Sequence, residues 1–386
     1  MPALQAGLAV PRVRTRALGT GAGLVAVCLA IFAFGIGARL VCRDVCASDI
    51  GHLYEARGID RASLPFVDRP LEYPPLIGVV MYVAGLPGNG SPRVSFAFNA
   101  MGLALLAATV TWLLWHHYGA RTRRWLFAPP LIVEGLVNWD LLAVGPAVGG
   151  LLLWSRSAFW AGALLGVGAA AKLYPALYVA MLAASCVPAG EWRRAGRLIT
   201  GAALAVATIV VPVLVVAPHA VGYFLDFHGA RSPTRGTLLS YVLRNPALPD
   251  SWVPQSAFAT VGTIVSISLT AVAVVLVATR VARGRLDPLP ACALVTIAFL
   301  LANKVYSPQY DLWLVPFLVM LPVRRRLVAH FFASSLIMFL LSFALSYVVP
   351  KALFFQLNGA GILYRAIVLV VLSRDLLRPS AGLNAA

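Results

Sequence analysis

Residues Cys46 to Pro75 read CASDIGHLYEARGIDRASLPFVDRPLEYPP, between long apolar runs. Inside this stretch Asp49, Glu55, Asp60, Asp68 and Glu72 alternate with His52, Arg57, Arg61 and Arg69. Tyr54, Tyr73 and the rigid pair Pro74-Pro75 complete it. A linker between two membrane helices needs none of this. The segment reads as a functional loop on one face of a membrane, with Asp49 as its leading acid.

The composition supports a membrane setting. Of 386 residues, 60% are hydrophobic and 12% charged, whereas soluble domains carry about a quarter charged residues. A spanning helix takes roughly 17 to 25 apolar residues, which leaves little chain for a soluble domain. The net charge of +17 suggests nucleic acid until the charges are placed. Arg12, Arg14 and Arg16 precede the first apolar run. Further clusters are Arg121 with Arg123 and Arg124, Arg193 with Arg194 and Arg197, Arg280 with Arg283 and Arg285, Arg324 to Arg326, and Arg374 with Arg378. Short basic clusters at alternate loops are the positive-inside pattern, and they exclude nucleic acid as the partner. Five cysteines show no metal-ligand spacing. Cys28, Cys186 and Cys292 read as small core residues. Cys42 and Cys46 flank the start of the loop, where an oxidising compartment would allow a disulfide.

The expectation is an all-α polytopic membrane protein, a single domain over residues 1–386. About twelve crossings (ten to thirteen) fit the chain. The apolar runs are Gly19 to Leu40, Val94 to His116, Trp125 to Val137, Leu141 to Trp154, Phe159 to Ala171 and Ala176 to Val187. They continue with Leu198 to Ala217, Ala257 to Thr279, Leu289 to Ala302, Tyr310 to Leu321, Leu327 to Val349 and Gly361 to Leu372. Pro74 to Leu86 is too short to cross and reads as a re-entrant helix within a first outer loop, residues 41–92. Residues 218–254 form a second long outer loop. The tails, 1–18 and 374–386, are cytoplasmic.

On this topology four polar features meet on the outer face. They are Asp49 with its loop, Asn138-Trp139-Asp140, Lys172-Leu173-Tyr174-Pro175, and Asn303-Lys304 with Ser307-Pro308-Gln309-Tyr310. An ionisable group at membrane depth is a functional candidate by default. Together they suit group transfer from a lipid-borne phosphate ester. A carboxylate serves as base for an acceptor hydroxyl, and fixed cations receive the leaving phosphate. One base facing a phosphate leaving group implies inversion; retention would call for a second, nucleophilic carboxylate nearby. Blander uses stand beside these. Asp140 could cap a helix, Lys172 could snorkel, and Arg231, Arg235 and Arg244 could pair with Asp226, Asp250 or lipid. His219 and His228 read as loop residues, and Trp139, Tyr174, Tyr306 and Trp313 as interface anchors.

SDIGHLYEARGI, PFVD and EYPP resemble the first outer loop of glycosyltransferase family 87. NWDLLAV, GAAAKLYP and NKVYSPQYDLWLVP are similar to stretches that recur in its actinobacterial members. The resemblance spans roughly positions 20 to 325. It implies a GT-C fold and a hexosyltransferase that uses a polyprenyl-phosphate sugar, most readily mannose. The acceptor would be a glycolipid or glycan of the cell envelope, and the site would lie outside the plasma membrane. Carried onto this chain, the catalytic base is Asp49. Beside the resemblance, the residues themselves offer Lys172, Arg231, Arg235 and Arg244 as the cations expected to hold the donor phosphate. On the same reading of the outer polar groups, His52, Tyr54, Glu72, Tyr73, Asp140, Asn303, Lys304, Gln309 and Tyr310 are the expected sugar and acceptor contacts. No metal and no cofactor are expected. Some mannosyltransferase members carry a histidine pair after the late Ser-Pro; this chain has Gln309-Tyr310-Asp311-Leu312 there. The rival readings are a transporter or flippase of lipid-linked sugars and a non-catalytic assembly subunit.

Overall fold

The computed structural model describes residues 18–42, 45–243 and 254–378. Both chain ends and Arg244 lie outside the described residues. The described chain is helical. Six helices are long and apolar enough to cross a membrane, and five shorter apolar helices lie among them.

α1 is Leu18–Leu40. After it comes α2, Asp49–Ala56, and then α3, Pro75–Gly85, whose first residue is the second proline of the pair. Proline suits a first helical turn, where its missing N–H would have no partner anyway. The next helix, α4, runs Pro92–Tyr118 behind a Ser91 cap that accepts the Val94 N–H. α5 (Leu141–Leu153), α6 (Ala158–Ala171) and α7 (Pro175–Ala184) are short. α8 (Trp192–Val216) is long. The second long loop holds α9 (Ala220–Ala230) and α10 (Leu238–Leu243). α11 (Phe258–Ala282), α12 (Pro288–Ala302), α13 (Val315–Met320), α14 (Arg325–Leu340) and α15 (Lys351–Leu376) follow.

Four of the expected crossings differ from simple helices; one is Leu327 to Val349, which carries a π-turn at Leu341–Leu345. Trp125 to Val137 is broken into a turn at Arg123–Leu126 and a π-turn at Pro130–Glu134. Pro129-Pro130 cannot continue an α-helix, because proline lacks the donor and clashes with the preceding turn. Tyr310 to Leu321 is a 3₁₀ turn, Pro308–Trp313, followed by the two-turn α13. Gly361 to Leu372 is the far part of α15, which starts ten residues earlier at Lys351. Its first turns carry Gln356 and Asn358, which read as loop.

α6 and α8 make the closest helix pair. A side-chain carbon at Gly162 would fall against the Leu198 carbonyl, and one at Gly201 against that of Phe159. Small residues allow such backbone approach in membrane bundles. The first loop extends the bundle's core with Val45, Ile50, Leu53, Tyr54, Ile59, Phe66 and Leu71, all buried.

Candidate functional site

The first loop docks through its backbone onto the turn that precedes α5. The Asp49 N–H donates to the Val137 carbonyl at 2.8 Å, and Ser48 Oγ donates to Leu136 at 2.7 Å. Before them, Cys42 and Cys46 are joined by a disulfide. Val45 (φ 57°) and Ala47 (φ 46°) lie in the left-handed region, which is costly for a β-branched valine. The link and the docking bonds hold a strained turn that delivers Asp49 to its position.

Asn138 is the hub. Its Nδ2 donates to Asp49 Oδ2 at 2.9 Å and to the Tyr73 hydroxyl at 2.8 Å. Its Oδ1 accepts from the Trp139 N–H at 2.7 Å and from Lys172 Nζ at 3.4 Å. Both amide donors and both oxygen lone pairs are thus engaged. The orientation follows from the partners, since a flipped amide would turn its NH₂ toward an ammonium. Lys172 Nζ also sits 3.6 Å from Asp140 Oδ2, 5.3 Å from the Tyr73 ring centre and 5.8 Å from that of Tyr310. Asp140 is 1% exposed. It precedes α5, but its side chain takes no capping bond; it accepts the Trp313 indole N–H at 2.7 Å. Trp313 in turn stacks on Tyr174 at 4.2 Å and on Tyr310 at 4.5 Å. Burial first, then the Asp49 charge, push the Tyr73 hydroxyl well above its ordinary value, so Tyr73 stays a neutral phenol.

Asp49, Tyr73, Asp140, Lys172 and Tyr310 are therefore brought together. Other expected site residues are placed differently. Tyr54 is buried, and its hydroxyl accepts the Gly90 N–H at 3.0 Å. Glu72 takes a two-pronged contact from Arg57, at 3.0 and 2.6 Å, which raises the Arg57 guanidinium above its ordinary value. The Glu72 carbonyl meets His228 Nε2 at 3.0 Å, so α9 clasps the first loop. Lys304 Nζ donates to the carbonyls of Gly229 and Arg231, at 3.1 and 2.6 Å, and to the Thr263 hydroxyl; burial pulls its ammonium down from its usual value. These three groups hold the loops. Gln309 is buried and accepts from Ser307 at 2.6 Å. His52 and Arg231 are exposed, and Asn303 is half-buried. Arg235 is exposed, with its guanidinium 5.7 Å from the Phe355 ring. Among the rival loop acids, Asp60 pairs with Arg61 at 3.5 Å, and Asp68 accepts the Leu64 N–H at 2.7 Å. Among the described residues, no group of three or more His, Cys, Asp or Glu gathers as a metal site would.

A buried polar cluster escaped the sequence reading. Asp311 faces Arg365, whose Nε donates at 3.1 Å and whose Nη2 makes a second contact. The Arg365 guanidinium lies 4.3 Å from the Tyr306 ring centre, and the Tyr306 hydroxyl reaches Asp311 at 3.3 Å. Glu134 accepts from Ser335 at 3.0 Å. The signal was present: Glu134 and Arg365 are charges inside apolar runs, where a charge is costly. The Asp311–Arg365 pair ties the Pro308–Trp313 turn to α15 and so sets Trp313 against Asp140.

The fold and this hydrogen-bonded chain define a class first: a polytopic membrane protein, all-helical over the described residues, that gathers a set of buried and half-buried polar groups around Asn138. The family follows from the sequence. The model for glycosyltransferase family 87 matches residues 71–308, more than half of the chain, so the chain belongs to that family and is a membrane glycosyltransferase. The matched span takes in Tyr73, Asn138, Asp140 and Lys172, while Asp49 lies ahead of it. No curated protein matches the chain.

Proposed function

We propose that this glycosyltransferase moves a hexose, most readily mannose, from a polyprenyl-phosphate donor to a glycolipid or glycan of the cell envelope. The reading places a GT-C fold in the plasma membrane with its site facing outward. The observation that carries it is the chain Asp49–Asn138–Lys172–Asp140. One amide separates a half-buried carboxylate from an ammonium. A carboxylate can take the proton of an acceptor hydroxyl. As that O–H bond breaks, the oxygen attacks the anomeric carbon, and the bond from this carbon to the phosphate oxygen breaks. The electron pair leaves with the polyprenyl phosphate, whose charge Lys172 receives, with Arg231 as a further cation. Asn138 keeps base and cation apart, so that Lys172 stays available to the phosphate. Tyr310, backed by the buried Trp313, offers an aromatic face for the sugar. One displacement of this kind inverts the anomeric centre.

The test supplies membranes carrying the protein with a panel of radiolabelled polyprenyl-phosphate sugars and a lipid extract from the native envelope. Label entering a new glycolipid from the mannose donor supports the reading. Transfer from a different sugar donor moves the specificity. Absence of transfer from every donor, with the protein folded, overturns the reading in favour of transport or assembly.

A further inference from the structure

α5 leaves Asp140 and ends at Trp154, and α6 starts at Ala158 and returns to Lys172. At about 1.5 Å per residue, their opposite ends lie roughly 20 Å from the proposed reaction centre. A groove of about 870 Å³ opens there, lined by Trp154 to Phe159 and Gly190 to Arg194, with Arg197. The first turns of α6 and α8 both face it, and helix N-termini favour anions. Arg194 is occupied: it donates to Glu191 and to the Trp154 carbonyl, both at 3.0 Å, and lies over the Trp154 ring at 4.2 Å. Arg156, Arg193 and Arg197 are exposed cations on the groove. Trp154 is 1% exposed, and among the described residues its indole N–H has no hydrogen-bond partner. Three exposed cations and two helix N-termini on one groove suit an anion, whereas charge placed only for topology needs no groove.

The surroundings name the anion's carrier. Arg193 and Arg197 share a face of α8 with Leu204, Val211 and Val215, which are 53%, 51% and 74% exposed. An apolar lane thus runs from the arginines along the helix. Trp192 lines the groove and Trp160 follows its Phe159; both are largely exposed, and tryptophan is enriched where proteins meet the membrane interface. We propose that the groove binds the phosphate headgroup of an anionic lipid, with an acyl chain along the exposed face of α8.

The test uses the full chain in nanodiscs of phosphatidylcholine containing phosphatidylglycerol as the minor lipid. Retained phosphatidylglycerol is read by native mass spectrometry. Each arginine near an anionic lipid surface contributes about fivefold in affinity. The double variant Arg193→Gln/Arg197→Gln is expected to weaken phosphatidylglycerol binding by about 25-fold, while Arg325→Gln/Arg326→Gln, an equal charge loss on another basic cluster, changes it by no more than about threefold. Arg193→Lys/Arg197→Lys keeps the charge and recovers most of the binding, which separates the site from misfolding. Equal weakening by the two glutamine pairs would reduce the effect to general surface charge and overturn the site. Displacement of phosphatidylglycerol by inorganic phosphate alone would assign the groove to a free anion and overturn the lipid.

Discussion

Replacing Asp49 by asparagine tests the proposed base with little change in shape. The amide oxygen can still accept the Asn138 Nδ2 hydrogen bond that spans 2.9 Å in the structure. The backbone bond to Val137 is untouched, so the loop stays docked. What is lost is the proton acceptor. General-base catalysis contributes about 10²- to 10⁴-fold, which is roughly 2.7 to 5.4 kcal/mol of barrier at 1.36 kcal/mol per decade. Asn138→Ala removes a hydrogen bond to a charged acceptor, worth about 1.5–3 kcal/mol, and is expected to cost roughly 10- to 150-fold. The two losses do not add. If Asn138 works chiefly by holding Asp49, the double variant falls no more than about twofold below Asp49→Asn, because residues that act as a unit are non-additive. The assay is initial rate of label transfer from polyprenyl-phosphate mannose in proteoliposomes at matched protein, with Asp60→Asn as a loop carboxylate that should keep activity. An Asp49→Asn enzyme holding more than about a tenth of the wild-type rate, or a double variant whose losses multiply, would refute the reasoning.

Lys172→Met should abolish tight donor binding, seen as a large rise in donor KM, and should also lower thermal stability by about 3 kcal/mol, because it leaves the buried Asp140 carboxylate unpaired. Adding Asp140→Asn should restore most of the stability and none of the activity; recovery of both would remove Lys172 from the phosphate site. Gly162→Val should drive α6 from α8, since its Cβ would meet the Leu198 carbonyl, at a cost of at least about 1–3 kcal/mol. Gly196→Ala, with open space at its Cβ, should be close to neutral, and unfolding midpoints of the two variants compare them directly. Burial lowers the His228 imidazole below its ordinary 6.5, although the Glu72 carbonyl opposes this in part. The neutral ring is the form the fold prefers, so its contribution is full above 6.5 and declines as pH falls through the lowered folded value. Protection factors in α9, which correct for the intrinsic exchange rate, should therefore fall on acidification below 6.5 and lose that dependence in His228→Gln; an unchanged profile in the variant would place the acid sensitivity elsewhere.

Much of the site was legible because charge is conspicuous in an apolar chain. Asp49, Asp140 and Lys172 announce themselves by position alone, and the structure gathers them within hydrogen-bonding and ion-pairing distance around Asn138. Asn138 itself was legible only as part of a motif, since a neutral amide gives no sign of being the hub. Residue type also does not tell whether a polar group will meet substrate or be satisfied by the protein. Tyr54 and Lys304 carry suitable chemistry for a sugar site, yet their polar atoms close on Gly90 and on the 229–231 carbonyls.

The least legible element is the one on which the site depends. A hydrophobic count reads Trp125 to Val137 as one more crossing, but Pro129-Pro130 prevents a continuous helix there. An unbroken helix running on through Asp140 would have bonded the Leu136 and Val137 carbonyls within itself. A second break, the turn at 135–140 that follows the π-turn, leaves both carbonyls open, and Ser48 Oγ and the Asp49 N–H take them up. The same break turns Asn138 and Asp140 toward Asp49 and Lys172 instead of spreading them around a helix. The local failure of helix geometry is thus the means by which the first loop is docked and its leading acid aligned.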